Sequence, residues 1–143
     1  MNAPVSVPPI MLRLVRQTAM HADCAVATLA SLCGLTYDEA LVVCARVAPT
    51  VLDEGMSWRE LRAAAKAIGV PTRLLRRGQY DEDEATGILC VQTGEPTDHF
   101  VLLWQGRVID GNATLYLSVD DYCKTHKYTP GTLLVRTDCD PTT

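Results

Sequence analysis

Gln17-Thr18-Ala19-Met20-His21-Ala22-Asp23-Cys24-Ala25-Val26-Ala27-Thr28-Leu29-Ala30 passes from a polar, aperiodic entry into a run of small apolar residues, and the change falls at Asp23-Cys24. The pattern predicts a helix from about Asp23 to Leu32, closed by Gly34 as a left-handed stop. Ala25, Val26, Ala27, Leu29, Ala30 and Leu32 surround its axis, so the helix is expected at the centre of the fold. Cys24 then lies in the first turn, where exposed backbone N–H groups and the positive end of the helix dipole favour thiolate over thiol. A thiolate is a nucleophile for covalent catalysis. A buried cysteine here has a second role open to it, as a small apolar filler.

Working outward, 143 residues fit a single domain over 1–143, with residues 1–10 as an irregular arm and 138–143 as a tail. Hydrophobic content of 48% against 21% charged residues is that of a soluble globular chain. No run approaches the roughly 18 apolar residues of a membrane span. A net charge of −4 argues against an extended nucleic-acid footprint, Arg73, Arg76 and Arg77 forming only a local basic cluster. The six cysteines, at 24, 33, 44, 90, 123 and 139, contain no CxxC pair and are read as reduced. Met1 to Ile10 lacks a charged segment followed by an apolar core, so no secretory signal is read there and the expected compartment is the cytoplasm.

Two further helices announce their starts. Thr36-Tyr37-Asp38-Glu39 and Ser57-Trp58-Arg59-Glu60 are capping boxes, the first helix ending before Pro49 and the second at Gly69. After Pro71 the texture becomes β-like, with strands expected at Thr72–Leu75, Gly87–Gln92, His99–Trp104, Arg107–Asp110, Leu115–Leu117 and Thr132–Arg136. Gln105-Gly106 is a two-residue hairpin loop, and Ser118-Val119-Asp120-Asp121 opens a short helix to about Thr125. The acidic run Asp81-Glu82-Asp83-Glu84 is read as a solvated loop rather than a metal site. Helices followed by an antiparallel sheet define an α+β fold.

A thiolate nucleophile needs a base, and the base needs a group to orient it. His99 opens a strand. With a Gln105-Gly106 turn, Trp104 faces Arg107, Val101 faces Asp110 and His99 faces Asn112, and the two-residue alternation sends His99, Val101, Asp110 and Asn112 to one face. Asp110 on the diagonal and Asn112 directly opposite are both candidates to orient the imidazole. Taken alone, His99 also reads as an ordinary strand histidine and Asp110-Gly111-Asn112 as turn chemistry. His21 and Cys24 offer a two-ligand start for a metal, but no companion pair has zinc-site spacing, so no metal is expected. His126, between Lys124 and Lys127, reads as a surface residue.

Gln17, Asp23-Cys24-Ala25-Val26-Ala27, Asp98-His99-Phe100-Val101 and Val108-Ile109-Asp110 together resemble the papain-like cysteine peptidases, in particular the bacteriocin-leader-processing peptidases that accompany peptide-exporting ABC transporters. The two capping-box segments resemble that family's helix starts, so the similarity spans roughly residues 11–136. The resemblance implies a papain-like fold with a nucleophile-bearing helix packed on an antiparallel sheet. It implies Cys24 as nucleophile, His99 as general base and then acid, Asp110 as its orienting partner and Gln17 as a side-chain donor to the oxyanion beside the Cys24 N–H. Three positions depart from the family's pattern. Gln17 stands one residue farther from Cys24, Ala25 replaces the usual glycine, and Gly111-Asn112 replaces the proline after Asp110, keeping Asn112 as an alternative orienter. The implied activity is a thiol peptidase or amide hydrolase acting on a peptide or isopeptide bond of a peptide or protein substrate, without cofactor. Two other functions remain on the same scaffold: a catalytically silent peptide- or leader-binding module, and a thiol acyltransferase or deamidase.

Overall fold

The apolar run after Asp23 forms the central helix that its composition demands. The computed structural model describes residues 24–94, 99–110 and 114–138. Helix α1, Cys24–Cys33, is buried from Cys24 to Leu32. Its two polar residues in that stretch are satisfied within the helix, the Thr28 hydroxyl donating to the Cys24 carbonyl at 2.9 Å and the Ser31 hydroxyl to the Ala27 carbonyl at 3.0 Å. Gly34 takes the left-handed conformation that ends the helix, φ 72°.

Helices α2 (Tyr37–Val47) and α4 (Trp58–Ile68) begin with the reciprocal capping boxes of Thr36/Glu39 and Ser57/Glu60. Between them lies α3, Val51–Glu54, a single turn that the sequence pattern does not announce. One turn carries no periodicity to detect; here it is fixed by the burial of Val51 and by the Thr50 hydroxyl donating to Glu54 at 2.8 Å.

The sheet comprises β1 (Thr72–Leu75), β2 (Gly87–Gln92), β3 (His99–Trp104), β4 (Arg107–Ile109), β5 (Leu115–Tyr116) and β6 (Thr129–Arg136), with helix α5 (Val119–His126) between the last two. The spatial order is β1-β6-β2-β3-β4-β5, with every neighbouring pair antiparallel. The class is thus α+β. Among β4, β5 and α5 three bounds differ from expectation. β4 stops at Ile109, because Asp110 turns into a loop closed by its own side chain; β5 is one residue shorter; and α5 continues to His126.

β6 begins at Thr129 rather than Thr132. Pro130-Gly131 reads as a turn, but the strand absorbs it in a bulge: Leu89 pairs with Leu133 while Val91 pairs with Pro130, so one extra residue sits on β6. The Gly131 carbonyl accepts the Tyr80 hydroxyl at 2.6 Å.

Alternation along the strands divides the core in two. Ile88, Cys90, Phe100, Leu102, Ile109 and Leu134 pack with α1, α2 and α4 on one face. Leu89, Val91, Val101, Leu103, Val108 and Leu133 pack with Val119, Tyr122 and Cys123 of α5 on the other. Arg136 ties the layers together. Its guanidinium donates to the Leu32 carbonyl at 3.2 Å, capping the negative end of α1, which has no basic residue in its own last turn, while Asp138 holds it from the other side at 2.8 and 2.9 Å.

The β3–β4 hairpin turns as read, with Trp104 opposite Arg107. Gln105 and Gly106 both have positive φ, 48° and 83°, the requirement of a type I′ loop. Residues 83–86 grip its tip. The Gln105 N–H donates to the Thr86 hydroxyl at 2.9 Å and the Gly106 N–H to the Ala85 carbonyl at 3.1 Å, and a Cβ on Gly106 would collide with the Asp83 backbone. The Asp83 backbone and the Ala85-Thr86 segment that follows the acidic run therefore buttress the hairpin. No single helix among the described residues is long and apolar enough to cross a membrane.

Candidate active site

Cys24 is the first residue of α1 and is 7% exposed. It belongs to the apolar cluster on the α1 face of the sheet, as does Phe100, the second residue of β3. His99 opens β3 and is partly buried. The β3–β4 register carries over from Leu102–Ile109, so Val101 lies level with Asp110, and His99 and Asp110 share the parity of Val101 and Val108, which face α5. The two do interact electrostatically: burial pushes the His99 pKa below its ordinary 6.5, the Asp110 carboxylate pulls it back up, and His126 adds to the lowering.

Asp110 is held by its own loop. Its backbone N–H donates to the Thr114 carbonyl and its Oδ1 accepts from the Thr114 N–H, both at 3.2 Å. This places a carboxylate at the end of β4, within the electrostatic reach of both His99 and the phenol of Tyr122. The fold thus brings His99 and Asp110 together on the α5 face, whereas Cys24 packs in the cluster on the opposite, α1 face of the sheet, and the strand parity does not bring His99 and Cys24 together. Gln17, His21 and Asn112 lie outside the described residues.

The α5 face holds more chemistry than the sequence suggested. His126 is exposed, as read, but it is also ringed by tyrosines. Tyr116 meets it through a hydroxyl–Nε2 hydrogen bond of 3.0 Å, Tyr128 stacks on it at 5.2 Å, and Tyr122 lies 4.7 Å away between ring centroids. The signal was present in the spacing Tyr116, Tyr122, His126, Tyr128, where Tyr122 and His126 are one helical turn apart. Among the described residues no three His, Cys, Asp or Glu side chains converge as a metal site would need, and no disulfide joins two described cysteines.

The lowered His99 pKa has a consequence for stability. The unfolded chain protonates first as pH falls through 6.5, so the unfolded state binds more protons in the window just below that value and stability declines there as pH drops. The urea midpoint is expected to fall more between about pH 7.5 and about pH 5.5 in wild type than in His99→Gln. Equal losses in both proteins would show that His99 does not carry this acid sensitivity.

Comparison with known proteins adds no identity to this geometry: no protein-family model matches the chain and no curated protein matches its sequence.

Proposed function

We propose that the chain is a papain-like thiol hydrolase that cleaves a peptide or isopeptide amide through Cys24, His99 and Asp110. The observation that supports it most is the electrostatic pairing of His99, the first residue of β3, with the Asp110 carboxylate that follows β4, while Cys24 packs on the opposite, α1 face of the sheet. The reading requires the His99 imidazole, at the first position of β3, to reach round the strand end to the start of α1.

In this mechanism burial keeps His99 neutral at pH 7, so it is a base ready to take the Cys24 proton. The sulfur adds to the substrate carbonyl carbon, and the oxyanion is met by the Cys24 N–H at the helix start, with Gln17 as the side-chain donor implied by the family resemblance. The C–N bond breaks as the imidazolium passes its proton to the leaving amine. Water, deprotonated by His99, then releases the acyl group and restores the thiol. Asp110 fixes the imidazole and stabilises its charged form.

A second reading, a module that grips a peptide without cutting it, is favoured by the burial of the Cys24 residue, which narrows access to its sulfur. Iodoacetamide alkylation across pH, with the modified residue identified by mass spectrometry, separates the two. Under the hydrolase reading Cys24 reacts well below the ordinary thiol pKa of about 8.5, and His99→Ala removes that reactivity. Reaction only as an ordinary or sheltered thiol would favour the binding module.

A further inference from the structure

β6 begins at Thr129, but β1 pairs only with its later half, from Leu133 to Arg136. After Leu75 the chain leaves the sheet in a turn, the Gln79 N–H donating to the Arg76 carbonyl at 2.9 Å with Gly78 at φ 95°, and returns through Tyr80, whose hydroxyl fastens it to the Gly131 carbonyl. A cleft of about 430 Å³ lies between this turn, α5 and the start of β6. Val119, Cys123 and Pro130 give it apolar walls, while Arg77, Lys124 and Lys127 bring cations to it from the turn, from α5 and from the residue that caps α5. Its two acids are already engaged. Glu82 meets Arg77 at 3.8 Å and Asp120 meets Lys124 at 3.0 Å, both pairs open to solvent, and such pairs hold weakly and exchange partners at little cost. The Lys127 ammonium has no hydrogen-bond or ion-pair partner among the described residues.

The cleft shares the α5 face of the sheet with His99 and Asp110. Pro130 pairs with Val91 and Val91 with His99, so the three stand in one row across β6, β2 and β3, and His99 lies two strand spacings, about 10 Å, from Pro130. We propose that this cleft binds an acidic segment of a peptide, whose carboxylates take the places of Glu82 and Asp120 on Arg77 and Lys124 and give Lys127 the partner it lacks. Charge complementarity carries the choice of ligand. Three cations converge here in a chain whose net charge is −4, and a peptide with several carboxylates supplies one to each of them, its stems and backbone lying against the apolar walls. The inference rests on the reading of the chain as one that acts on peptides, and it adds a substrate feature to that reading: acidic residues held away from the amide that is cut.

The test is an NMR titration of the isotope-labelled full chain with tetraglutamate, using tetraglutamine and glutarate as comparators. Tetraglutamate is expected to displace the amide signals of Lys124, Lys127, Tyr128 and Thr129 saturably, tetraglutamine to leave them in place, and glutarate, a free small acid, to bind about tenfold more weakly because it cannot supply a carboxylate to each cation. Lys127→Gln and Arg77→Gln should each weaken tetraglutamate binding about two- to fivefold. No displacement at the cleft, equal displacement by tetraglutamine, equal affinity for glutarate, or an affinity unchanged by either substitution overturns the proposal. Both substitutions are at solvent-facing side chains, and unchanged urea midpoints confirm that folded proteins are compared. The titration uses no thiol chemistry and alkylation of Cys24 does not read the cleft, so failure of the titration leaves thiol reactivity standing, and absence of thiol reactivity leaves acidic-peptide binding standing.

Discussion

Cys24→Ala is expected to abolish amide cleavage, and His99→Ala to reduce it by about 10²–10⁴-fold, when a mixed peptide library is incubated with the protein and the products are read by mass spectrometry. The asymmetry follows from the chemistry. Without the sulfur there is no acyl-enzyme and no covalent path. Without the imidazole the thiol still ionises as pH rises, so a residual rate persists and increases toward alkaline pH. Wild type should instead lose activity as the medium is acidified through the lowered pKa of His99, because the protonated ring cannot take the thiol proton. Cleavage that survives Cys24→Ala unchanged would end the thiol mechanism.

Gly106→Ala is expected to destabilise the fold by about 2–4 kcal/mol, a large part of the 5–15 kcal/mol that holds a domain of this size. Two costs combine at this position. The positive φ of 83° is unfavourable for a residue with a Cβ, and the added methyl meets the Asp83 backbone, which cannot rotate away as a side chain can. Gly69 supplies the control. It has φ 96° with open space around the would-be Cβ, so Gly69→Ala should cost only the conformational part, about 1–2 kcal/mol. Urea unfolding with an unchanged slope measures both. Equal losses at the two glycines would mean that the hairpin tip yields to the methyl.

Much of this architecture is legible because it is encoded locally. Thr36/Glu39 and Ser57/Glu60 announce their helices with side chains that bond within four residues, and Gln105-Gly106 fixes the β3–β4 register by turn chemistry alone. The same register put His99 and Asp110 on one face. What escaped depends on distant partners. Pro130-Gly131 looks like a break until β2 is placed beside it and Tyr80 meets the carbonyl at the bulge. His126 looks like a solitary surface residue because two of the three tyrosines around it, Tyr116 and Tyr128, come from outside its helix. The role of the strand faces is similar: alternation says that His99 and Phe100 point oppositely, but only the packing reveals that α1 takes one side and α5 the other.

The placement of β6 has a consequence for how the chain matures. It is the last strand described, yet it lies between β1 and β2 and supplies the arginine that caps α1 from 104 residues away. During synthesis β1 and the β2–β5 meander emerge with two unsatisfied edges facing a gap, and no earlier segment among the described strands fills it. The sheet therefore closes only when residues 129–136 leave the ribosome, which makes folding a late, long-range event. A chain that stops before Thr129 leaves the β1 and β2 edges that β6 would cover open for pairing with another chain, so premature termination converts a continuous six-stranded sheet into a template for aggregation.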